Sequence, residues 1–248
     1  MLLPNERIDE VNDKLRLIQK TDGLTFGTDA LLLAAFIGKK GKLALELGGG
    51  SGIISMLLAA RGRFEHILCA EIQESYADLI ERNIILNGLS STLRAVCADI
   101  RQTKLLGDGG SYDAVFSNPP YMTAESGKLC EANAKSVARH ELFGTINDFS
   151  LAAAKCLKYG GRFYTVYRTD RLIDLICALR ANGLEPKRMT FVHAREDLPP
   201  SMVLTEARLG GRADLTVTKP LILSDGTKNS SDYDYLLQNG ILPDDYMI

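Results

Sequence analysis

Apolar runs recur along this chain, and each is bounded by glycine or by polar residues. Residues 43–47, 66–70, 93–98, 112–117, 162–167, 187–194 and 202–209 have the length and apolar content of buried strands. Residues 29–37, 53–60, 75–86, 146–157 and 170–181 read as helices, with Thr28 or Asp29 as the N-cap of the first. Asn87-Gly88, Lys158-Tyr159-Gly160-Gly161 and Asn182-Gly183 end three of them. Strands that alternate with helices predict an α/β fold with a mostly parallel central sheet of seven strands and helices on both faces. Residues 215–223 add a candidate edge strand. The pattern gives a single domain over 1–248: a polar lead-in over 1–40 that holds a short strand at 15–18 and the first helix, a core over 41–223, and a polar, flexible tail over 224–248. Residues 122–145 have no period and are rich in Ala, Glu, Lys and Ser, the character of a binding loop or lid.

The strand ends carry the polar chemistry. Asn118-Pro119-Pro120-Tyr121 follows the run at 112–117. Two prolines cannot donate to a sheet ladder, so they stop the strand and stiffen the backbone. One amide side chain, two rigid carbonyls and one aromatic ring then stand where open α/β sheets bind ligands. A planar group could lie on Tyr121 with its amino hydrogens toward the Asn118 oxygen and a proline carbonyl. Taken alone, the stretch reads equally well as a strand ended by a proline-rich turn.

Glu46-Leu47-Gly48-Gly49-Gly50-Ser51-Gly52 joins a strand to a helix, as the first turn of a nucleotide-binding unit does. Glu46 in front of the glycines would repel a pyrophosphate and suits a ligand that carries an amino group. Glu71 lies about 20 residues further on, where an acid can accept from ribose hydroxyls. Asp99 ends the third strand and can accept from an adenine amino group. Ile72 and Ile100 follow the two acids and can sandwich the ring. Each acid singly reads as a solvated strand end; the ordered set is what points to a site.

Composition sets limits on this picture. Hydrophobic residues make up 46% and charged residues 24%, ordinary globular usage. No run has the length of a membrane span, and the first residues lack the pattern of a signal peptide. Cys69, Cys97, Cys130, Cys156 and Cys177 are scattered without C-x-x-C spacing, so a reducing cytoplasm and no structural zinc are expected. His66, His140 and His193 are far apart, and no metal-ligand cluster is expected. A net charge of −2 excludes a generally basic nucleic-acid binder and leaves room for a local basic patch.

Glu46 to Gly52, Glu71, Asp99 and Asn118-Pro119-Pro120-Tyr121 resemble the ordered motifs of class I S-adenosylmethionine-dependent methyltransferases that act on amino nitrogens. The resemblance covers roughly residues 20–210. A finer likeness, to bacterial valine-tRNA adenine N6-methyltransferases, rests on Glu6-Arg7-Ile8-Asp9, Leu17-Ile18-Gln19, the stretch Phe26-Gly27-Thr28-Asp29 with the apolar run after it, and Ala138-Arg139-His140-Glu141.

The resemblance implies a Rossmann-like methyltransferase fold, S-adenosylmethionine as cofactor and the anticodon loop of tRNA as partner. It implies cofactor contacts from Phe26, Gly27, Thr28, Asp29, Glu46, Leu47, Gly48, Gly50, Gly52, Glu71, Ile72, Asp99, Ile100 and Asn118. Asn118, Pro119, Pro120 and Tyr121 are the expected catalytic motif. Tyr121, Arg16, Lys20, Arg139, Arg168 and Arg195 are the expected substrate contacts. A protein glutamine amide would also fit over Tyr121, but such enzymes carry a helical substrate domain in front, and the stretch before Leu43 is too short for one. DNA adenine or guanine enzymes, and a silent methyltransferase fold that binds partners, are the other readings.

Overall fold

A nine-stranded mixed sheet forms the centre of the computed structural model, which describes residues 2–21, 26–120 and 144–247. Its strands are β3 (Gly41–Leu47), β4 (Phe64–Glu71), β5 (Leu93–Cys97), β6 (Tyr112–Ser117), β7 (Leu157–Arg168), β8 (Leu184–Arg195), β9 (Met202–Leu209) and the short β10 (Thr216–Val217) and β11 (Leu221–Ser224). They lie in the order β10-β8-β9-β7-β6-β3-β4-β5, with β11 also paired to β8. All neighbours are parallel except β9, which runs antiparallel between β7 and β8. The chain builds β3, β4 and β5 outward in one direction, then returns to place β6 on the other side of β3. That reversal creates a switch point between β3 and β6, where ligands bind in open α/β sheets.

All seven expected strands are present. The expected edge strand at 215–223 is instead two short strands, because Pro220 stands between them and cannot donate to β8.

Side-chain alternation along the strands feeds two cores. Ala44, Phe116 and Tyr164 face one layer with α1 (Thr28–Phe36), α2 (Ile53–Ala60) and α6 (Ser231–Asn239). Leu45, Val115 and Phe163 face the other with α4 (Ile146–Cys156) and α5 (Leu172–Ala181). A strand buried on both faces needs such a continuous apolar run, which is why these segments were readable. Among the described residues no helix is long and apolar enough to cross a membrane.

Both chain ends hold more structure than expected, although the short strand expected at 15–18 is present within Leu15–Lys20. The lead-in forms a hairpin of β1 (Glu6–Asn12) and β2 (Leu15–Lys20), in which Leu17 and Ile18 are buried. The outer edge of β2 is paired by side chains of α3 (Glu74–Leu86) and the residue after it. Asn83 accepts from Ile18 N at 2.7 Å and donates to Ile18 O at 3.1 Å. Asn87 does the same for Arg16, at 2.9 and 2.7 Å. Arg82 binds Glu6 at 2.6 Å and closes the same junction.

The C-terminal residues, expected as a polar tail, are packed. Leu236, Leu242 and Tyr246 are at most 2% exposed. Their anchor is Arg188, which is 4% exposed. It donates to Tyr246 O at 2.5 Å, Phe36 O at 3.0 Å and the Glu206 carboxylate at 3.0 Å. Three apolar anchors scattered among acids give no period, so composition alone concealed the docking.

Candidate active site

The register of the sheet aligns the four motif-bearing strand ends. β6, β3, β4 and β5 are consecutive neighbours, with Leu47 paired to Ala70, Glu71 to Cys97 and Glu46 to Phe116. The glycine turn, Glu71, Asp99 and Asn118 therefore leave one edge side by side, across about 14 Å at the usual strand spacing.

The turn after β3 needs glycine for two different reasons. Gly48, Gly50 and Gly52 have φ of +72°, +56° and +77°, a region that side chains rarely tolerate. A Cβ on Gly49 would stand 2.2 Å from Cys69 Sγ, so that residue is excluded by packing. Above Gly50 a Cβ would meet nothing within 4 Å. The turn is thus packed beneath and open above. Gly48 N and Gly49 N donate to Ala70 O at 2.9 and 3.0 Å, and Gly50 N donates to Glu71 Oε2 at 2.9 Å. Glu71 Oε1 also accepts from Gln73 N at 2.9 Å.

Glu46 lies beneath the turn rather than on its open side. It is 1% exposed and accepts from Ser55 N at 3.1 Å, from the Ser55 hydroxyl and from Cys69 Sγ at 3.4 Å. Burial pushes its carboxyl up to about 7, and burial beside this acid pushes the Cys69 thiol up as well. Leu47 is fully buried, and its carbonyl accepts from Ser117 Oγ at 2.7 Å, which ties the end of β3 to the end of β6.

Asp99 lies two residues beyond the end of β5, paired with Arg101 at 2.6 Å, and that guanidinium holds its carboxyl below the usual range. Ile100 is buried and Ile72 half-buried, with Cys97 Sγ 3.6 Å from Ile72 O.

Asn118 is reached from the other side. Its Nδ2 donates to Asp29 Oδ2 at 2.9 Å. Asp29 lies in the first turn of α1, whose N-cap is Gly27 rather than Thr28 or Asp29. Gly27 has no side chain to cap that helix end; the Asp29 carboxylate accepts from Ala30 N and from Asn118. Phe26 N donates to Gln19 Oε1 at 3.1 Å, which sets the approach from the hairpin.

Pro119 and Pro120 line a cavity of about 420 Å³ with Thr145, Ile146, Tyr167 and Arg171. Tyr121, Arg139 and most of the expected lid lie outside the described residues.

The expected basic contacts are dispersed. Arg168, at the end of β7, is one strand from Asn118 and pairs with Asp170 at 2.6 Å. Arg195, at the end of β8, is three strands away and pairs with Asp197 at 2.9 Å. Lys20 donates to Ser75 Oγ at 2.8 Å and lies over the Tyr76 ring, in the first turn of α3 and so near Glu71. Arg16 sits at the opposite end of α3, beside Asn87, away from the strand ends that carry the motifs. Among the described residues no three His, Cys, Asp or Glu form a metal-binding group. Ser55, Asn83 and Ser117 are buried polar residues beside the site that no motif marked, and Gln19 was marked only within the stretch Leu17-Ile18-Gln19.

Comparison with known proteins adds to this geometry. Residues 20–174 match the methyltransferase small domain family. A tRNA1(Val) (adenine(37)-N6)-methyltransferase of Bacteroides fragilis is 28% identical over 179 residues, 72% of this chain and 74% of that protein. The protein of the same name from Photobacterium profundum is 28% identical over 74% of this chain and 77% of its own. A crystal structure of a predicted O-methyltransferase from Agrobacterium tumefaciens superimposes with a TM-score of 0.69 at 22% identity, over 86% of this chain and 96% of that one. M. jannaschii TYW2, solved in complex with AdoMet, gives 0.56 at 15% identity over 82% and 85%. These structural likenesses speak to the fold.

Proposed function

The chain belongs to the methyltransferase small domain family and has its Rossmann-like class I fold, and from that premise we propose that it methylates N6 of an adenine in tRNA, in the anticodon loop of a valine tRNA, with S-adenosylmethionine as donor. Relatives that carry this activity in their names, at 27–30% identity, support the substrate. Action on tRNA would fit a cytoplasmic enzyme.

The strand-end residues fit the cofactor. The glycine turn is open on the side where a Cβ at Gly50 would meet nothing, and Glu71 offers a carboxylate beside it. Gly48, Gly50 and Gly52 would border the methionine end, with Phe26, Gly27, Thr28 and Asp29 opposite. Glu71 would accept from the ribose hydroxyls, Ile72 and Ile100 would flank the adenine, and Asp99 would accept from its amino group. Glu46 and Leu47 hold the turn from beneath. When bound, S-adenosylmethionine supplies a methyl group on a sulfonium, already activated for transfer.

The chain's own task is to orient the nucleophile. An adenine amine is a weak nucleophile because its lone pair is delocalised into the ring. The Asn118 side-chain oxygen and the Pro119 carbonyl accept from its two hydrogens and draw the nitrogen toward tetrahedral geometry. These bonds strengthen as positive charge develops on nitrogen, so they favour the transition state over the bound substrate. In the proposed reaction Tyr121 has the role of stacking on the base, a contact worth about 1–3 kcal/mol. The Pro-Pro pair holds the acceptors rigid, so little reorganisation remains at the moment of transfer. No side chain need act as a base of shifted pKa; the proton on the product amine leaves to solvent.

The observation that carries this reading is the Asn118 amide, held by Asp29 at the end of β6, beside the strand ends that carry the glycine turn and Glu71. Asn118→Ala tests it. Turnover should fall about 100-fold or more, as for loss of one transition-state hydrogen bond, while cofactor affinity by calorimetry stays near wild type. Near wild-type turnover would reduce the stretch to a turn.

A further inference from the structure

We infer that Asp29 is a positioning residue for Asn118: its carboxylate decides which atom of the Asn118 amide faces the substrate. The inference rests on the reading of Asn118 as acceptor for the target amine. An asparagine amide carries an oxygen and an NH2 group of nearly equal shape, and a half-turn about χ2 exchanges them. Presented to an amine, the oxygen accepts, whereas the NH2 sets hydrogens against hydrogens. The proline pair after Asn118 fixes the backbone, but it does not choose between the two faces of the side chain. An ionised carboxylate does choose, because it has acceptors and no donor. With Asp29 Oδ2 2.9 Å from Nδ2, the nitrogen faces α1 and the oxygen is turned away from it.

The carboxylate is itself held in place. Its other oxygen accepts from Ala30 N at 2.9 Å, in the first turn of a helix, where negative charge is favoured. Gly27 makes the fold-back possible: a Cβ there would stand 2.7 Å from Asp29 Oδ1. The helix is anchored in turn by Leu32, Leu33 and Phe36, all fully buried. The orientation of the amide is therefore tied to the core through a helix of different sequence origin, 89 residues away along the chain.

The pairing is polar and can be exchanged. Asn118→Asp sets two carboxylates at hydrogen-bond distance, and they repel or share a proton. Asp29→Asn sets amide against amide, which pairs in either flip and enforces neither. The double variant D29N/N118D restores one donor and one acceptor with their positions reversed. The amide at position 29 donates to one carboxylate oxygen at position 118, and the second oxygen faces the substrate.

The experiment measures turnover, KM for tRNA and cofactor affinity for wild type, D29N, N118D and D29N/N118D. In parallel, the Asn118 side-chain NH2 resonances are followed by 15N NMR in wild type, D29N and Asp29→Ala, which needs no catalysis. We expect N118D to lose about 100-fold in turnover. D29N should lose about tenfold in turnover, with a smaller change in cofactor affinity, and the double variant should regain at least about tenfold in turnover over N118D. The Asn118 NH2 signals should move toward solvent-exposed values in Asp29→Ala. Additive losses without recovery, or NH2 signals indifferent to position 29, would overturn the inference. So would a D29N variant that loses cofactor affinity and keeps its turnover. Should wild type transfer no methyl group to any amine, the catalytic reading falls, and the NMR arm still decides whether Asp29 holds the amide.

Discussion

Glu71 Oε2 accepts a hydrogen bond from Gly50 N at 2.9 Å, so the acid that ends β4 shapes the glycine turn that ends β3. Its second oxygen is fixed by Gln73 N, also at 2.9 Å. One carboxylate therefore organises two loops and still has lone pairs for a ligand, since an ionised carboxyl can accept about four hydrogen bonds.

Removing Glu71 should then weaken cofactor binding by more than the ribose contacts alone explain. Glu71→Ala is expected to cost on the order of 1–3 kcal/mol of affinity. Glu71→Gln, which keeps one acceptor for Gly50 N, should cost less. Calorimetry on folded variants measures both, and unchanged affinity in Glu71→Ala would move the ribose elsewhere.

Glu46 makes stability depend on pH. Burial raises its carboxyl from the ordinary 4.5 to about 7, against the opposing bonds from Ser55 and Cys69. The folded chain thus keeps this proton over a range where the unfolded chain has lost it. The stabilising contribution is complete below pH 4.5 and is lost as pH rises through 7. Its size is on the order of 3 kcal/mol, at about 1.4 kcal/mol per pH unit. Urea midpoints from pH 5 to 8 should fall in wild type and stay flatter in Glu46→Gln, and parallel curves would show that Glu46 titrates normally.

Arg188 should be among the most sensitive positions outside the site. Its removal leaves Glu206 with Arg162, at 2.7 Å, in place of two arginines, strands two buried carbonyls and releases the C-terminal segment at Tyr246. Breaking a buried ion pair from one side costs about 3–5 kcal/mol. Arg188→Met should lose up to that amount in urea denaturation, reduced by the charge that Arg162 still neutralises on Glu206, and R188M/E206L should recover part of it. A loss below about 1 kcal/mol would mean that apolar packing alone docks the segment.

The parts of this fold that were legible share a cause. A strand buried on both faces must be apolar throughout, and a turn with positive φ must be glycine, so β3 to β9 and Gly48, Gly50 and Gly52 left local signals. What was missed is held by side chains across long sequence separations. Asn83 pairs with β2 from 65 residues away, and Arg188 reaches Phe36 from 152. Asp29 was legible as a helix-start residue near the cofactor; its bond to Asn118 belongs to the packing of α1 against the end of β6, which no local pattern carries. Arg168 and Arg195 were legible as cations at strand ends, but not as cations each answered by a carboxylate two residues on.

That pairing bears on the proposed RNA contact at Arg168. If Asp170 competes with phosphate for Arg168, Asp170→Asn should tighten tRNA binding and Arg168→Glu should weaken it, both without change in cofactor affinity. Filter binding over a salt series measures this. The slope should correspond to few phosphates, at about −0.7 to −0.9 for each. Identical binding by both variants would remove the end of β7 from the interface.

The most direct measurement gives the enzyme S-adenosylmethionine with a labelled methyl group and, in parallel, valine tRNA, duplex DNA and a release-factor protein, followed by mass analysis of each product. Label recovered as N6-methyladenosine from the anticodon loop, and from neither other substrate, is the predicted result. Label in the protein as methylglutamine, with none in tRNA, would contradict it.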